Sequence, residues 1–144
     1  MPEITSATII DALLAIVGAK GVLHGDDDTA GFLSDWHNRY HGKAHAVVLP
    51  ETTDQVSAIM AYADKNNIVV VPQGGNTGFM GGATPDDTGH SIVLSLKRMN
   101  KIREIDSQNM SMTVEAGCVL QNLQDRADDA GLYFPLNLAA KGSC

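Results

Sequence analysis

The sequence predicts an α+β fold, parallel in its first part and antiparallel later, on three observations. A strand, a helix and a second strand follow one another within about 28 residues between His45 and Pro72, which is the order of a βαβ unit. Five of the 14 glycines crowd into positions 74 to 82, directly after that second strand. Further on, alternating runs replace the continuous apolar ones, as in strands with one wet face.

Taken in order, Ile4, Ala7, Thr8, Leu13, Leu14 and Val17 recur at spacings near three and four and predict an amphipathic helix, stopped by Gly18 and Gly21. From Leu23 to Lys43 the chain is polar and holds Asp26-Asp27-Asp28; a surface loop or a short helix around Phe32 to Trp36 is expected. His45-Ala-Val-Val-Leu-Pro50 reads as a strand, and Thr53 as the cap of a helix through Val56, Ile59, Met60 and Ala63 that ends at Asn66-Asn67. The β-branched run Ile68-Val-Val-Val-Pro72 predicts a strand buried on both faces. Ser91 to Leu96 and Ser111 to Glu115 alternate as strands, with strand and turn from Met99 to Asp106 between them. A helix from Val119 to Asp129 follows, with Gly131 as its stop and Leu132 to Pro135 extended. The expected division is an N-terminal helical segment 1–43, a first subdomain 44–106, and the start of a second, mainly antiparallel subdomain 107–144.

Composition narrows the function classes. The 144 residues are 44% hydrophobic and 19% charged, which suits one globular domain or part of a larger one. Ten basic residues against 17 acidic ones give a net charge of −7, with no basic run beyond Lys97-Arg98. Such a chain lacks the cations to neutralise a nucleic-acid backbone, so nucleic acid is not an expected partner. The apolar stretch Ala7 to Ala19 is broken by Asp11 and falls short of the roughly 20 residues that span a bilayer. No transmembrane segment is expected, and the stretch lacks the basic leader of a signal peptide. With only Cys118 and Cys144 present, a disulfide framework is not expected and a cytoplasmic, reducing location is.

The glycine cluster carries the chemistry. In Val71-Pro-Gln-Gly-Gly-Asn-Thr-Gly-Phe-Met-Gly-Gly82, consecutive N–H groups can turn toward one point, and missing Cβ atoms let a diphosphate approach the backbone. The Thr77 hydroxyl and the Asn76 amide add donors, and the nearest cations along the chain are Lys65 and Lys97. The plainer reading is a pair of tight turns at Gly74-Gly75 and Gly81-Gly82 bounding a surface loop. Neither Gly-x-x-x-x-Gly-Lys-Ser/Thr nor a helix-opening Gly-x-Gly-x-x-Gly occurs, which excludes an ATPase or Rossmann loop.

Pro72-Gln-Gly-Gly-Asn-Thr-Gly78 with Gly81-Gly82 resembles the pyrophosphate loop of FAD-linked oxidases of the vanillyl-alcohol oxidase type, which carry a PCMH-type FAD-binding domain. The likeness is strongest to their D-lactate, D-2-hydroxyglutarate and glycolate dehydrogenase branch. Ala46-Val-Val-Leu-Pro50 with Thr53 and Val56 is similar to that family's entry strand and helix. Val114-Glu-Ala-Gly117 and Phe134-Pro-Leu-Asn-Leu-Ala-Ala-Lys-Gly-Ser-Cys144 resemble its second flavin-contacting stretch. The resemblance covers about residues 35 to 144, with the motifs in the family's order.

This resemblance implies that Gly74, Gly75, Asn76, Thr77 and Gly78 wrap the FAD diphosphate, led in by Pro72 and Gln73, with Gly81 and Gly82 on the far side. It implies that Pro135, Leu138, Gly142 and Ser143 lie near the flavin. Where relatives attach flavin through a loop histidine, this chain has Asn76, which implies non-covalent FAD. The implied activity is oxidation of a small D-2-hydroxyacid by hydride transfer to FAD, in an enzyme of which this is an N-terminal portion. The base and carboxylate-binding residues are expected beyond Cys144, so no catalytic residue is named; the electron acceptor is open, and a homodimer is compatible. A self-contained, non-catalytic nucleotide- or phosphate-binding module is the competing reading, and an interaction domain with a purely structural loop is a third.

Two metal patterns fail on spacing. His37, His41 and His45 fall four apart, but Gly42 and the strand start at His45 break a shared helix face. Asp26-Asp27-Asp28 has no glutamate at calcium-loop spacing and reads as a solvated acidic turn. Cys118 and Cys144, 26 residues apart without a second pair, read as core or loop thiols.

Overall fold

The computed structural model describes residues 4–144. Residues 1–3, where the expected segment 1–43 begins, lie outside the described residues. Helix α1 spans Ser6–Val17, and the Thr5 hydroxyl accepts the Thr8 N–H at 3.3 Å. Leu13 and Val17 fall on its buried stripe as expected; Ile9 joins them, while Ile4 is exposed. Gly18 ends the helix at φ 74.

The polar segment holds more structure than its composition suggests. Strand β1, Val22–Leu23, pairs antiparallel with β2, Val47–Val48. The short helix forms at Asp26–Thr29 (α2) and not around Phe32 to Trp36. Three aspartates in its first turn meet the positive end of the helix dipole, which favours that placement. A 3-10 turn follows at Ala30–Phe32.

Helix α3, Thr53–Lys65, is capped by Thr52, one residue before the expected Thr53. The Thr52 hydroxyl accepts the Gln55 N–H at 3.2 Å, and Gln55 Oε1 accepts the Glu51 N–H at 2.7 Å. This reciprocal exchange is close to a capping box and requires the hydroxyl three residues before Gln55.

Strands β3, Val69–Gln73, and β4, Ser91–Ser95, complete a four-stranded sheet in the order β1-β2-β4-β3. β4 runs parallel to both neighbours, so it lies between the two strands of the βαβ unit. The expectation of a doubly buried strand at Ile68 to Pro72 is therefore corrected: β3 is an edge strand with Val69 55% exposed, whereas every residue of β4 is buried. β-branched composition suits any pleated surface, and strand order is decided by the later crossover.

One face of the sheet is covered by α1 and α3, where Ile9, Leu13, Val17 and Ile59 meet Val48, Ile92 and Leu94. Each such side chain contributes about 1.5–3 kcal/mol by leaving water. By strand alternation Val47, Val93, Gln73 and Ser95 occupy the opposite face. Strands β5, Ile102–Asp106, and β6, Ser111–Val114, form a separate antiparallel pair, matching the strand and turn expected over Met99 to Asp106 and the alternating strand expected over Ser111 to Glu115. The alternation expected over Ser91 to Leu96 is corrected, since every residue of β4 is buried. Helix α4, Leu120–Asp129, closes at Gly131: Leu132 N–H reaches Ala127 O and Gly131 N–H reaches Asp128 O, each at 2.9 Å. No helix among the described residues is long and apolar enough to cross a membrane.

Candidate functional site

The β3–β4 ladder ends where Gln73 pairs with Ser95 and the Leu96 N–H donates to Gln73 O at 3.1 Å. From there the glycine loop leaves the sheet. Among the described residues, no backbone N–H from Gly74 to Ala83 donates to a backbone or side-chain acceptor. Unpaired amides retain their full hydrogen-bonding demand, so a run of them is a surface suited to an anion. A Cβ at Gly74, Gly78 or Gly82 would meet nothing within 4 Å. The space in front of these residues is open, and a side chain there would fill it.

The side chains of the loop do a different job from its amides. Gln73, 2% exposed, donates through Nε2 to Phe32 O and Ala83 O, both at 2.9 Å, and so ties the two feet of the loop together. Asn76, at φ 55, donates through Nδ2 to Ser34 O at 2.8 Å. One of the two N–H groups of this amide is therefore engaged by the Ser34 carbonyl, and the other has no hydrogen-bond partner among the described residues. The Thr77 hydroxyl stays half-buried, Pro72 is exposed on the edge strand, and a Cβ on Gly81 would come within 3.0 Å of the Tyr40 ring.

Segment 33 to 42 forms the brace against which the loop rests. Asp35 Oδ1 accepts the N–H groups of Arg39 at 2.6 Å and Tyr40 at 2.8 Å, and Oδ2 accepts that of His37 at 3.3 Å. The Tyr40 amide is the main cause holding the Asp35 carboxyl below its ordinary value, against the opposing effect of burial. His37 then lies 4.6 Å from the Phe79 ring, centroid to centroid. None of Phe32, Asp35 and Tyr40 was a candidate in the sequence. The available signal was local: an aspartate followed by Asn38, which adopts φ 58, is the chemistry of an Asx-type turn.

The second wall comes from the chain after β6. Glu115, 9% exposed, accepts the Lys101 N–H at 2.9 Å and an Arg103 guanidinium N–H at 3.3 Å. The Lys101 amide is the first cause of its lowered pKa. This anchor places Gly117, whose N–H donates to Met99 O at 2.8 Å and whose Cβ would sit 1.8 Å from Leu96 O. Gly75 is equally crowded, its Cβ position lying 1.9 Å from Ser143 O.

Between the walls lies a cleft of about 260 Å³, lined by Gly74, Gly75, Lys97, Gly117, Cys118 and Ser143 among others. Of the two cations nearest along the chain, Lys97 therefore stands beside the loop, whereas Lys65 does not line the cleft. Of the residues expected at the flavin end, Ser143 lines the cleft, whereas Pro135, Leu138 and Gly142 are exposed and do not. The first amides of α4 are taken: Leu120 N–H donates to Cys144 O at 2.7 Å and Gln121 N–H to Lys141 O at 2.8 Å. That helix end is no open anion site. Cys118 and Cys144 both line the cleft as free thiols, and burial pushes the Cys118 thiol up, keeping it protonated at neutral pH.

The three spaced histidines do not converge. His37 and His41 belong to the brace, while His45 Nδ1 lies 2.8 Å from Ser6 Oγ. Among the described residues no group of three or more His, Cys, Asp or Glu could hold a metal. A larger cavity of about 690 Å³, lined by Ser6, His45, Asn67 and His90, opens at the other end of the sheet, away from the glycine loop.

Comparison with known proteins fits this geometry. Residues 44–144 match a family described as FAD binding domain. A probable mitochondrial D-2-hydroxyglutarate dehydrogenase of Oryza sativa subsp. indica is 41% identical over 130 residues, 90% of this chain and 23% of the relative. A putative mitochondrial D-lactate dehydrogenase of Schizosaccharomyces pombe is 43% identical over 142 residues, 94% of this chain and 27% of the relative. The chain thus spans about a quarter of the length of these relatives. The solved structure of p-cresol methylhydroxylase with substrate bound matches 95% of this chain and 27% of its own, with a TM-score of 0.78 at 24% identity. The expected cytoplasmic location is overturned by these names, since relatives from Arabidopsis thaliana and Danio rerio are also named as mitochondrial. A low cysteine count was the wrong warrant for a compartment.

Proposed function

We propose, from a chain that belongs to the FAD binding domain family and has the PCMH-type fold of the vanillyl-alcohol oxidase group, that it is the FAD-binding portion of a mitochondrial D-2-hydroxyacid dehydrogenase. The observation that carries this reading is the run of unpaired amides from Gly74 to Ala83 beside open space at Gly74, Gly78 and Gly82. A diphosphate needs many donors at short range, and this loop offers them without first breaking a sheet ladder.

In the proposed assignment Gly74, Gly75, Asn76, Thr77 and Gly78 give the diphosphate their main-chain N–H groups. Gly82 leaves room on the far side, and Ser143 closes the cleft toward the flavin. Pro72 and Gln73 set the direction in which the loop leaves β3, and Gly81 holds the return limb against Tyr40. Pro135, Leu138 and Gly142 remain proposed as flavin-side residues of the whole protein. Bound FAD supplies the two-electron acceptor for a hydride from the substrate Cα, chemistry that belongs to the cofactor. The protein supplies orientation, because a loop tied at both feet by Gln73 holds its donors in place before the ligand arrives. Non-covalent attachment through this loop follows from Asn76, a side chain that offers flavin no nucleophilic ring and whose Nδ2 is engaged by Ser34.

The relatives' names supply the substrate class, D-2-hydroxyglutarate and D-lactate, and we add glycolate as the achiral, smallest 2-hydroxyacid. Two measurements on the whole protein test the reading. FAD added to the apoprotein should bind stoichiometrically, seen as quenching of flavin fluorescence. Anaerobic addition of D-2-hydroxyglutarate, D-lactate or glycolate should then bleach the visible flavin absorption for at least one acid, with L-2-hydroxyglutarate and L-lactate inert. Absence of saturable FAD binding would sink the cradle. Tight FAD that no D-2-hydroxyacid bleaches would sink the activity and leave the cradle standing.

A further inference from the structure

We propose that Lys97 is the counter-cation of the cofactor diphosphate and sets how strongly FAD affinity depends on salt. This rests on the reading of the cleft as the FAD site. Lys97 is the one cationic side chain lining that cleft among the described residues. It joins none of the ion pairs found among the described residues, which are Arg98 with Glu51, Arg103 with Glu115, and Arg126 with Asp129. Its Nζ lies 4.8 Å from the centroid of the Phe32 ring, so an aromatic face steers the ammonium where no carboxylate neutralises it. Phe32 is itself held by the loop, since its carbonyl accepts the Gln73 Nε2–H. The cation and the glycine amides are thus fixed to one another through a single buried side chain.

The charge balance explains why one lysine matters. The chain carries −7, so a doubly charged diphosphate approaches a surface of like sign. In physiological salt, exposed charges of either sign beyond about 8 Å are screened, so the charge at the cleft itself decides what the diphosphate meets there. Lys65 ends α3 on the side where β3 begins. The loop leaves the other end of that strand, about 16 Å away at the usual rise per residue. Arg98 is occupied by Glu51 and by the Leu49 carbonyl. Among the described residues, Lys97 is the cation that lines the cleft.

The test compares wild type, Lys97→Gln and Lys97→Arg in the whole protein, titrating each apoprotein with FAD and with riboflavin, which lacks the diphosphate, over a series of salt concentrations. Lys97→Gln should raise the Kd for FAD about tenfold at low salt and lower the log Kd against log salt slope by about one. Lys97→Arg should stay within about threefold of wild type, since the charge is kept. Riboflavin affinity and the apoprotein Tm should be alike in all three. An unchanged FAD Kd and slope in Lys97→Gln, with wild type binding FAD normally, overturns the role of Lys97 and leaves the cradle intact. An equal loss of riboflavin and FAD affinity overturns it too, by showing a structural role. Wild type that binds no FAD overturns the cradle and this role together.

Discussion

The glycine loop and the brace at Leu33 to Gly42 lie against each other and treat their polar groups in opposite ways. In the brace, Asp35 alone takes up three backbone amides, and the Gly42 N–H donates to Leu33 O at 2.8 Å. In the loop, the amides from Gly74 to Ala83 have no partner among the described residues. The difference separates holding from binding. Groups that satisfy one another make rigid structure, and only those left over can recognise a ligand. The side chains of Gln73 and Asn76 cross between the two regions, and both serve the holding side.

This comparison can be broken most severely at Gln73. Gln73→Glu puts a carboxylate at a 2% exposed position, facing the carbonyls of Phe32 and Ala83. Stability at pH 7 should fall by about 3 kcal/mol or more, with partial recovery near pH 5 as the carboxylate takes up a proton. Urea unfolding at the two pH values checks both statements.

Asp35 tests the brace through acid. Its folded pKa is depressed below the ordinary 3.8, so its stabilising contribution is complete above that value and is lost as pH falls through the folded pKa. The gap in Tm between wild type and Asp35→Ala should therefore be flat from pH 7 to about 5 and narrow below about 4. A gap that widens on acidification would show that the amides of His37, Arg39 and Tyr40 do not favour the charged form.

Gly78→Val sharpens the other side of the comparison. The added side chain has open space in the apoprotein, so Tm should shift by less than the equivalent of about 0.5 kcal/mol while FAD affinity drops about tenfold or more. Asn76→Ala should cost about 1–2 kcal/mol by losing the bond to Ser34 and a residue tolerant of φ 55. Asn76→Gly should regain the backbone part, which denaturant titration can read. Arg126→Ala, at an exposed pair with Asp129 far from either region in sequence, should change stability by less than about 0.5 kcal/mol.

Locally encoded features were legible in the sequence, and long-range ones were not. The spacing of Leu13 and Val17, the Gly131 stop and the alternation of β6 each follow from a few neighbouring residues, and each is present in the fold. That the chain leaves the sheet after Gln73 was legible because five glycines crowd into the nine positions that follow. The brace was not, since Gln73 reaches Phe32 across 41 positions and Asn76 reaches Ser34 across 42, contacts that leave no periodic trace. Strand order failed for the same reason: nothing in Ile68 to Pro72 announces that Ser91 to Ser95 will insert between it and Val47–Val48. A helix cap misplaced by one residue reflects two adjacent threonines of equal chemistry, decided by the reach of Gln55.

The contact between Gly75 and the Ser143 carbonyl joins two stretches separated by most of the second half of the chain, with no volume left for even a methyl group. Saturation mutagenesis should find Gly75 intolerant on its own and rescued only by changes around Ser143 that withdraw the peptide facing it. The first and last flavin motifs would then behave as one inherited unit under recombination, so chimaeras with a crossover between them should lose function more often than chimaeras that keep both from one parent.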